Sequence, residues 1–212
     1  MTHRERVLTS LRHQQPDRVP VDLGGTLAST LNVHTYRRLM KHLGFGDDPP
    51  VAFLSRRSNS VLPDERLLQR LDVDCRAVIL GNPDLHPERE LPDGSLTDEW
   101  QITWKHIGEG QHFINAGGPF SGKEPDPALV EAFTWPNPID PGRFRTLRSQ
   151  AQTLRTASDA AIILVLGVGA VHQIQFMRGY AEALEDLVAA PDFVQAFLDR
   201  YADFWTCMTE RA

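Results

Sequence analysis

"AAIILVLGVG", Ala160 to Gly169, decides how this chain is read. Side chains alternate between the two faces of a strand, and here both alternations are apolar, so neither face suits water. Such a strand belongs in a parallel sheet covered by helices. Gly167 and Gly169 then mark the turn at its carboxyl end, where the backbone bends tightly or a ligand comes close. The "GVG" is no dinucleotide fingerprint, because GxGxxG needs a glycine where His172 stands.

Outward from this strand the pattern is helical. "DPGRFRTLRSQAQTLRTAS" precedes it as one helix. "MRGYAEALEDLVAAPDFVQAFLDRYADFWTCMTERA" follows as helix on both sides of Pro191, with Val194, Phe197, Leu198, Tyr201 and Trp205 on one core-facing stripe. At the amino end, Thr2 and Glu5 form a capping box, and Val7, Leu8 and Leu11 recur at helical spacing until Pro16. "RVPVDL" reads as a first strand, "HTYRRLMKHLGF" as a helix closed by Gly44, "VAFLS" as a second strand, "DERLLQRLDV" as a helix and "CRAVILG" as a third strand. Strands alternating with helices predict an α/β fold with parallel strands.

An insertion over about residues 93–142 interrupts the alternation. "GSLTDEWQITWKHIGEGQHFINAGG" alternates like a β-hairpin with its turn at "GEG" and with Trp100, Ile102 and Trp104 on one face. From Gly117 to Gly142 fall six of the chain's 15 prolines, which predicts a packed irregular connection docked by Phe120, Phe133 and Trp135.

With 212 residues, 41% of them hydrophobic, the chain can bury a real core, and one domain over 1–212 is expected. Lys and Arg total 22 against 28 Asp and Glu, a net charge of -6 that disfavours nucleic acid as a partner. Two cysteines, Cys75 and Cys207, lie outside any CxxC or Cys/His spacing, which predicts a cytoplasmic protein without a structural zinc. The charged amino terminus is no signal peptide, and the longest apolar run, Ala160 to Val171, is too short for about 30 Å of hydrocarbon, so no membrane is expected. Walker, G-x-S-x-G and HExxH motifs are absent from the sequence.

In parallel α/β sheets, ligands bind at the carboxyl ends of the strands. The expected strands place Asp22 with Gly24 and Gly25, Gly81, and "GVGAVHQIQFMRG" there. Asp22 is either a pocket carboxylate or an acceptor for backbone N–H groups of its own turn. His172 is a general acid or base, a substrate donor, or a packed loop residue. Arg178 either clamps a substrate carboxylate or pairs with Glu182 one turn on. Asp74 and Arg76, two apart on a strand, share a face and pair with each other or with separate partners. Trp100 joins these as a pocket-shaping candidate.

Five blocks, "RERVLTSLRHQQPDRVPVDLGG", "LLQRLDVDCRAV", "DEWQITWK", "FTWPNPIDPGRF" and "FMRGYAEALEDLVAAPDFVQAFLDRYADFW", occur in order from residue 2 almost to the end. Together they resemble the uroporphyrinogen decarboxylase superfamily, in particular its branch of corrinoid-linked methyltransferases and decarboxylase-like proteins. The resemblance implies a partial TIM (β/α)8 barrel, the N-terminal half with an inserted β-hairpin, because a full barrel takes about 250 residues. It therefore implies open sheet edges, covered by a second half-barrel chain or by homo-oligomerisation.

The superfamily's decarboxylases carry P-V-W-x-M-R-Q-A-G-R after the first strand, and "PVDLGGTLAS" puts Gly25 and Ser29 where the arginines would be. Their F-S-D-I-L aspartate meets "VILGNP", and the tyrosine of their T-L-A-T-Y falls near Phe176. The methyltransferase branch uses zinc held by His-x-Cys and a later Cys, ligands that the resemblance puts beyond Ala212. Methyl transfer involving a corrinoid or methoxylated donor is thus the leading expectation. Asp22, Asp74, Arg76, Trp100, His172 and Arg178 would shape a small-molecule pocket, no residue is assigned the bond-breaking step, and the cofactors, zinc and corrinoid, would serve a full-length relative with a corrinoid protein as partner. Uroporphyrinogen decarboxylation and an inactive half-barrel with a binding or structural role are the alternatives.

Overall fold

The structure, a computed structural model, describes residues 1–108, 112–167 and 169–212. The expected "GEG" turn lies partly outside the described residues, at 109 and 110.

The chain opens with α1 (His3–Leu11), whose capping box is formed by Thr2 and Glu5 as the sequence suggests. The segment expected as the first strand, "RVPVDL", is not a strand. Its backbone is held at Val21: the Asp74 N–H donates to the Val21 carbonyl at 2.8 Å, and the Val21 N–H donates to Asp74 Oδ2 at 2.7 Å. A side-chain bond thus stands where the next rung of a ladder would be.

Asn32 caps α2 (Val33–His42). Then β1 (Ala52–Ser55) pairs antiparallel with β2 (Ser60–Leu62), so "VAFLS" is a strand but belongs to a local hairpin, not to a parallel sheet. Asp64 caps α3 (Glu65–Arg70), which leads to β3 (Cys75–Ile79).

The insertion builds more than one hairpin. β4 (Arg89–Glu90), β5 (Leu96–Thr97), β6 (Thr103–His106) and β7 (Phe113–Gly117) form an antiparallel sheet in that order. The proline-rich connection contains α4 (Pro127–Ala132) and α5 (Pro141–Phe144), each with proline at its start and an aspartate cap, Asp126 and Asp140. The single helix expected before the apolar strand therefore divides into α5 and α6 (Leu147–Ala157).

The deciding stretch forms β8 (Ala161–Val165), paired parallel with β3 from Cys75↔Ala161 to Ile79↔Val165. After it come α7 (Ala170–Arg178), α8 (Tyr180–Ala189) and α9 (Pro191–Arg211). Gly179 separates α7 from α8 at φ +113, a conformation that L side chains rarely adopt.

These elements make two compact units, Met1–Leu80 with Thr146–Leu166, and Gly81–Arg145 with Gly167–Ala212. In the first, Val33, Tyr36, Met40, Val61 and Leu67 form a buried cluster, with Leu23, Leu31 and Val51 packed against it. α1 and α6 lie on the β3–β8 pair. Beyond Ala161 the residues of β8 are only half-buried, so the strand is less covered than its composition predicts.

In the second unit the core is aromatic. Trp100 meets Trp135, Tyr201 and Phe204 at ring-centroid distances of 5.8, 5.7 and 4.9 Å. Phe193, Val194, Phe197, Tyr201, Phe204 and Met208 are the buried stripe of α9, while Leu198 and Trp205 are only partly covered. Among the described residues, no helix is long and apolar enough to cross a membrane.

Candidate functional site

In the first unit the polar side chains gather before the strands begin. Asp74 is wholly buried and accepts from Arg6 Nη1, from Arg18 Nη1 at 2.6 Å and from the Val21 N–H. Burial pushes its carboxyl up, but the Val21 N–H and the Arg18 and Arg6 guanidiniums outweigh this and hold it below its ordinary value. Arg6 also grips Asp17 through Nε at 2.6 Å, and Arg18 reaches Asp72 at 2.6 Å. This is a saturated network: each carboxylate charge has a guanidinium against it.

Arg76 shares no bond with Asp74. Its Nε and Nη2 fork onto Glu65 at 2.8 and 2.9 Å, and its Nη1 donates to the carbonyls of Val73 and Cys75, both at 2.8 Å. Beside the fork lies a cleft of about 220 Å³ lined by His3, Glu65, Gln69, Asp72, Arg76 and Asp159. Asp72 precedes β3 and Asp159 precedes β8, so the cleft is at the amino ends of the parallel pair. Ligands of parallel sheets bind at the other end, and this network reads as a fastening.

Asp22 takes the local option. Its Oδ1 accepts the Gly25 N–H at 2.9 Å, and a Cβ on Gly25 would lie 2.3 Å from that oxygen, so a side chain there would push the carboxylate out of this bond. Asp22 is also near enough to Cys75, the first residue of β3, for its charge to raise that thiol. The expectation of Asp22 beyond a strand's carboxyl end is corrected accordingly: no strand carries it there, because the chain turns away directly after its attachment to Asp74.

The other three candidates lie in the second unit. Trp100 is a core residue: Asp98 accepts the N–H groups of Trp100 and Ile102 at 3.0 and 3.1 Å and the Trp104 indole N–H at 2.8 Å, folding the approach to β6. Arg178 is buried, donating from Nε to Asp186 at 2.7 Å and from Nη1 to the carbonyls of Phe120 and Lys123. Glu182, its expected partner, stands 3.7 Å away as a secondary one. Two of the three Arg178 nitrogens are thus spent inside the fold, and the side chain is only 6% exposed.

His172 is exposed on the first turn of α7, its ring 6.3 Å from that of Phe176, which in turn meets Trp104 edge-on at 4.9 Å. Its neighbour Gln173 is only 3% exposed and its amide nitrogen has no hydrogen-bond partner. A buried amide donor left unsatisfied costs about 1–3 kcal/mol. Side chains of a helix lean toward its amino end, and α7 opens on Gly169 with no side-chain cap. Uncapped N–H groups, an unsatisfied amide and a histidine thus share the turn that follows β8 in sequence.

Sequence reasoning placed Gln173 in this cluster but missed its burial. It missed His3, Arg6, Arg18 and Asp159 altogether, since their partners lie far along the chain; the only signal was the charge density of "HRER" and "PDR" flanking a helix. No family model matches the chain, and no curated protein or solved structure matches it either.

Proposed function

We propose that this chain is the ligand-holding part of a cytoplasmic barrel-type enzyme of the uroporphyrinogen decarboxylase superfamily, in its methyltransferase-like branch. The observation that carries the reading is the parallel, in-register pairing of β3 with β8 through the preceding helix α6. Strand, helix, parallel strand is the repeating piece of a (β/α)8 barrel. The half-buried apolar residues of β8, and its pairing with β3 alone among the described residues, support a sheet continued by a second half-barrel chain or another copy.

In this reading the first turn of α7 holds the small-molecule substrate. Gln173 and the uncapped N–H groups supply donors, and His172 and Phe176 supply a ring surface. A corrinoid or methoxylated donor held there would supply the methyl group: its bond to that carbon would break with the electron pair left on the donor, while an acceptor thiolate formed the new C–S bond. Among the described residues, no group of three or more His, Cys, Asp or Glu side chains is placed to hold a metal, so zinc does not fit and no step runs through it. Decarboxylation of a polycarboxylate is the weaker reading, because Arg76 and Arg178 are both consumed by internal partners.

Incubating the chain with methylcobalamin and a thiol, with uroporphyrinogen in a parallel arm, tests this. Loss of the methylcobalamin spectrum with formation of the methyl thioether is expected. Coproporphyrinogen in the second arm, or a chain that neither turns over nor binds methylcobalamin or the thiol, overturns it.

A further inference from the structure

We infer that His3 is a proton-dependent clasp that fastens α1 across the amino ends of β3 and β8. Its Nδ1 lies 2.6 Å from Asp159 Oδ1 and its Nε2 lies 2.9 Å from Asp72 Oδ1. A neutral imidazole has one N–H and one lone pair, whereas a carboxylate only accepts. With carboxylates on both sides, a neutral ring leaves one lone pair facing another. Only the imidazolium donates to both, and it also brings a positive charge against Asp159.

The surroundings allow no substitute donor. Asp159 precedes β8, and its Oδ2 already accepts the His3 N–H at 3.3 Å. Asp72 precedes β3, and its other oxygen takes Arg18 at 2.6 Å. From α3 and β3 come Glu65 and Arg76, spent on each other. On α1 itself, Glu5 closes the capping box on Thr2, and Arg4 donates to the Ala160 carbonyl. The charged groups facing the ring are thus Asp159, whose ion pair is with His3, Asp72, which His3 shares with Arg18, and neighbours already engaged.

Loss of the proton removes one of the two bonds and the charge attraction, and the first turn of α1 loosens over the 220 Å³ cleft that His3 helps to line. Helix α1 stays tethered further along, where Arg6 holds Asp17 and Asp74. The outcome is a hinge at the amino terminus, not dissociation of the helix.

Hydrogen bonds donated to Asp159 and then to Asp72 raise the His3 pKa above its ordinary value. A group raised on folding stabilises fully below its unfolded value, and that stabilisation is lost as pH rises through the folded one. The clasp is therefore fully closed at and below the ordinary histidine value, about pH 6.5, and opens only as pH rises through the higher value that the two carboxylates impose.

The test is a pH titration of the His3 imidazole by NMR in the intact chain, with amide exchange of residues 3–11 followed over the same range and corrected for intrinsic rates. Expected are a titration above the ordinary histidine value and exchange at the start of α1 that quickens severalfold through that titration. His3→Gln should remove the pH dependence of exchange, and Asp159→Asn should lower the imidazole titration while keeping the backbone bonds. An imidazole titrating at or below the ordinary value overturns the inference. So does the same pH dependence in His3→Gln, and the wild-type titration decides the matter if a variant does not fold.

Discussion

Arg178, the last residue of α7, donates from Nε to Asp186 on α8 at 2.7 Å, with each side chain only 6% exposed. The same guanidinium binds two carbonyls of the 118–123 turn, so one side chain joins three segments. Breaking a buried pair from one side strands the other charge, which costs about 3–5 kcal/mol. Arg178→Ala should therefore destabilise by about 3 kcal/mol in urea unfolding, and Arg178→Lys should recover little, because an ammonium cannot reproduce the fork. An Arg178→Ala change costing under about 1 kcal/mol, at the level of a surface pair, would return this arginine to the pool of substrate ligands.

Acid stability should follow the network around Asp74. Hydrogen bonds and nearby guanidiniums hold Asp17 and Asp72 below the usual carboxylate range, and Asp74 also lies below it despite its burial. Groups depressed on folding stabilise above their unfolded values and lose that contribution as pH falls through the folded ones. Thermal melts should therefore hold steady down to about pH 4 and then fall steeply. Asp74→Asn should lower the melting temperature at pH 7 and flatten the acid limb; an unchanged limb would mean the network is not what acid breaks.

How far the sequence could be read depends on the range of each interaction. The apolar run of β8 and the capping box of α1 are local, so they were legible, whereas α4, capped by Asp126, forms inside the stretch expected to be irregular. The segment Val19–Asp22 was not, because its β-branched composition matches a strand while its backbone is held by a single residue, Asp74, through its N–H and its carboxylate, more than fifty residues away. The Trp100, Ile102 and Trp104 alternation correctly marked buried positions, yet only β6 and its neighbours make a sheet of it; Asp98, not strand pleating, folds the stretch before it. Of the six candidate residues, Asp22, Asp74, Arg76, Trp100 and Arg178 have structural occupations that compete with pocket roles, and such competition is decided by contacts that no pattern displays.

The two cysteines should react very differently. Cys75 is buried at the start of β3 and, by burial with the Asp22 and Asp74 charges adding, its thiol is pushed up to about 11; Cys207 is exposed on α9. The thiolate is the reacting species. A chromogenic disulfide reagent at pH 8 should label one thiol in the native chain and the second only after denaturation. Loss of the fast phase in Cys207→Ser identifies it. Two fast thiols would mean that the β3–β8 pair opens readily.

The Asp22 turn gives a test by coupling. A methyl at position 25 meets Asp22 Oδ1 at 2.3 Å, so Gly25→Ala forces that carboxylate out of its bond with the backbone. Overpacking of this kind costs about 1–3 kcal/mol. If the clash with Asp22 is the cause, Asp22→Ala removes the obstacle, and the double variant should be less destabilised than the sum of the single ones by at least 0.5 kcal/mol, the coupling expected of side chains in contact. Additive costs would show that position 25 is closed to a side chain for a reason other than Asp22. That result would free the carboxylate for a ligand, because its bond to the Gly25 N–H would then not be what fixes it.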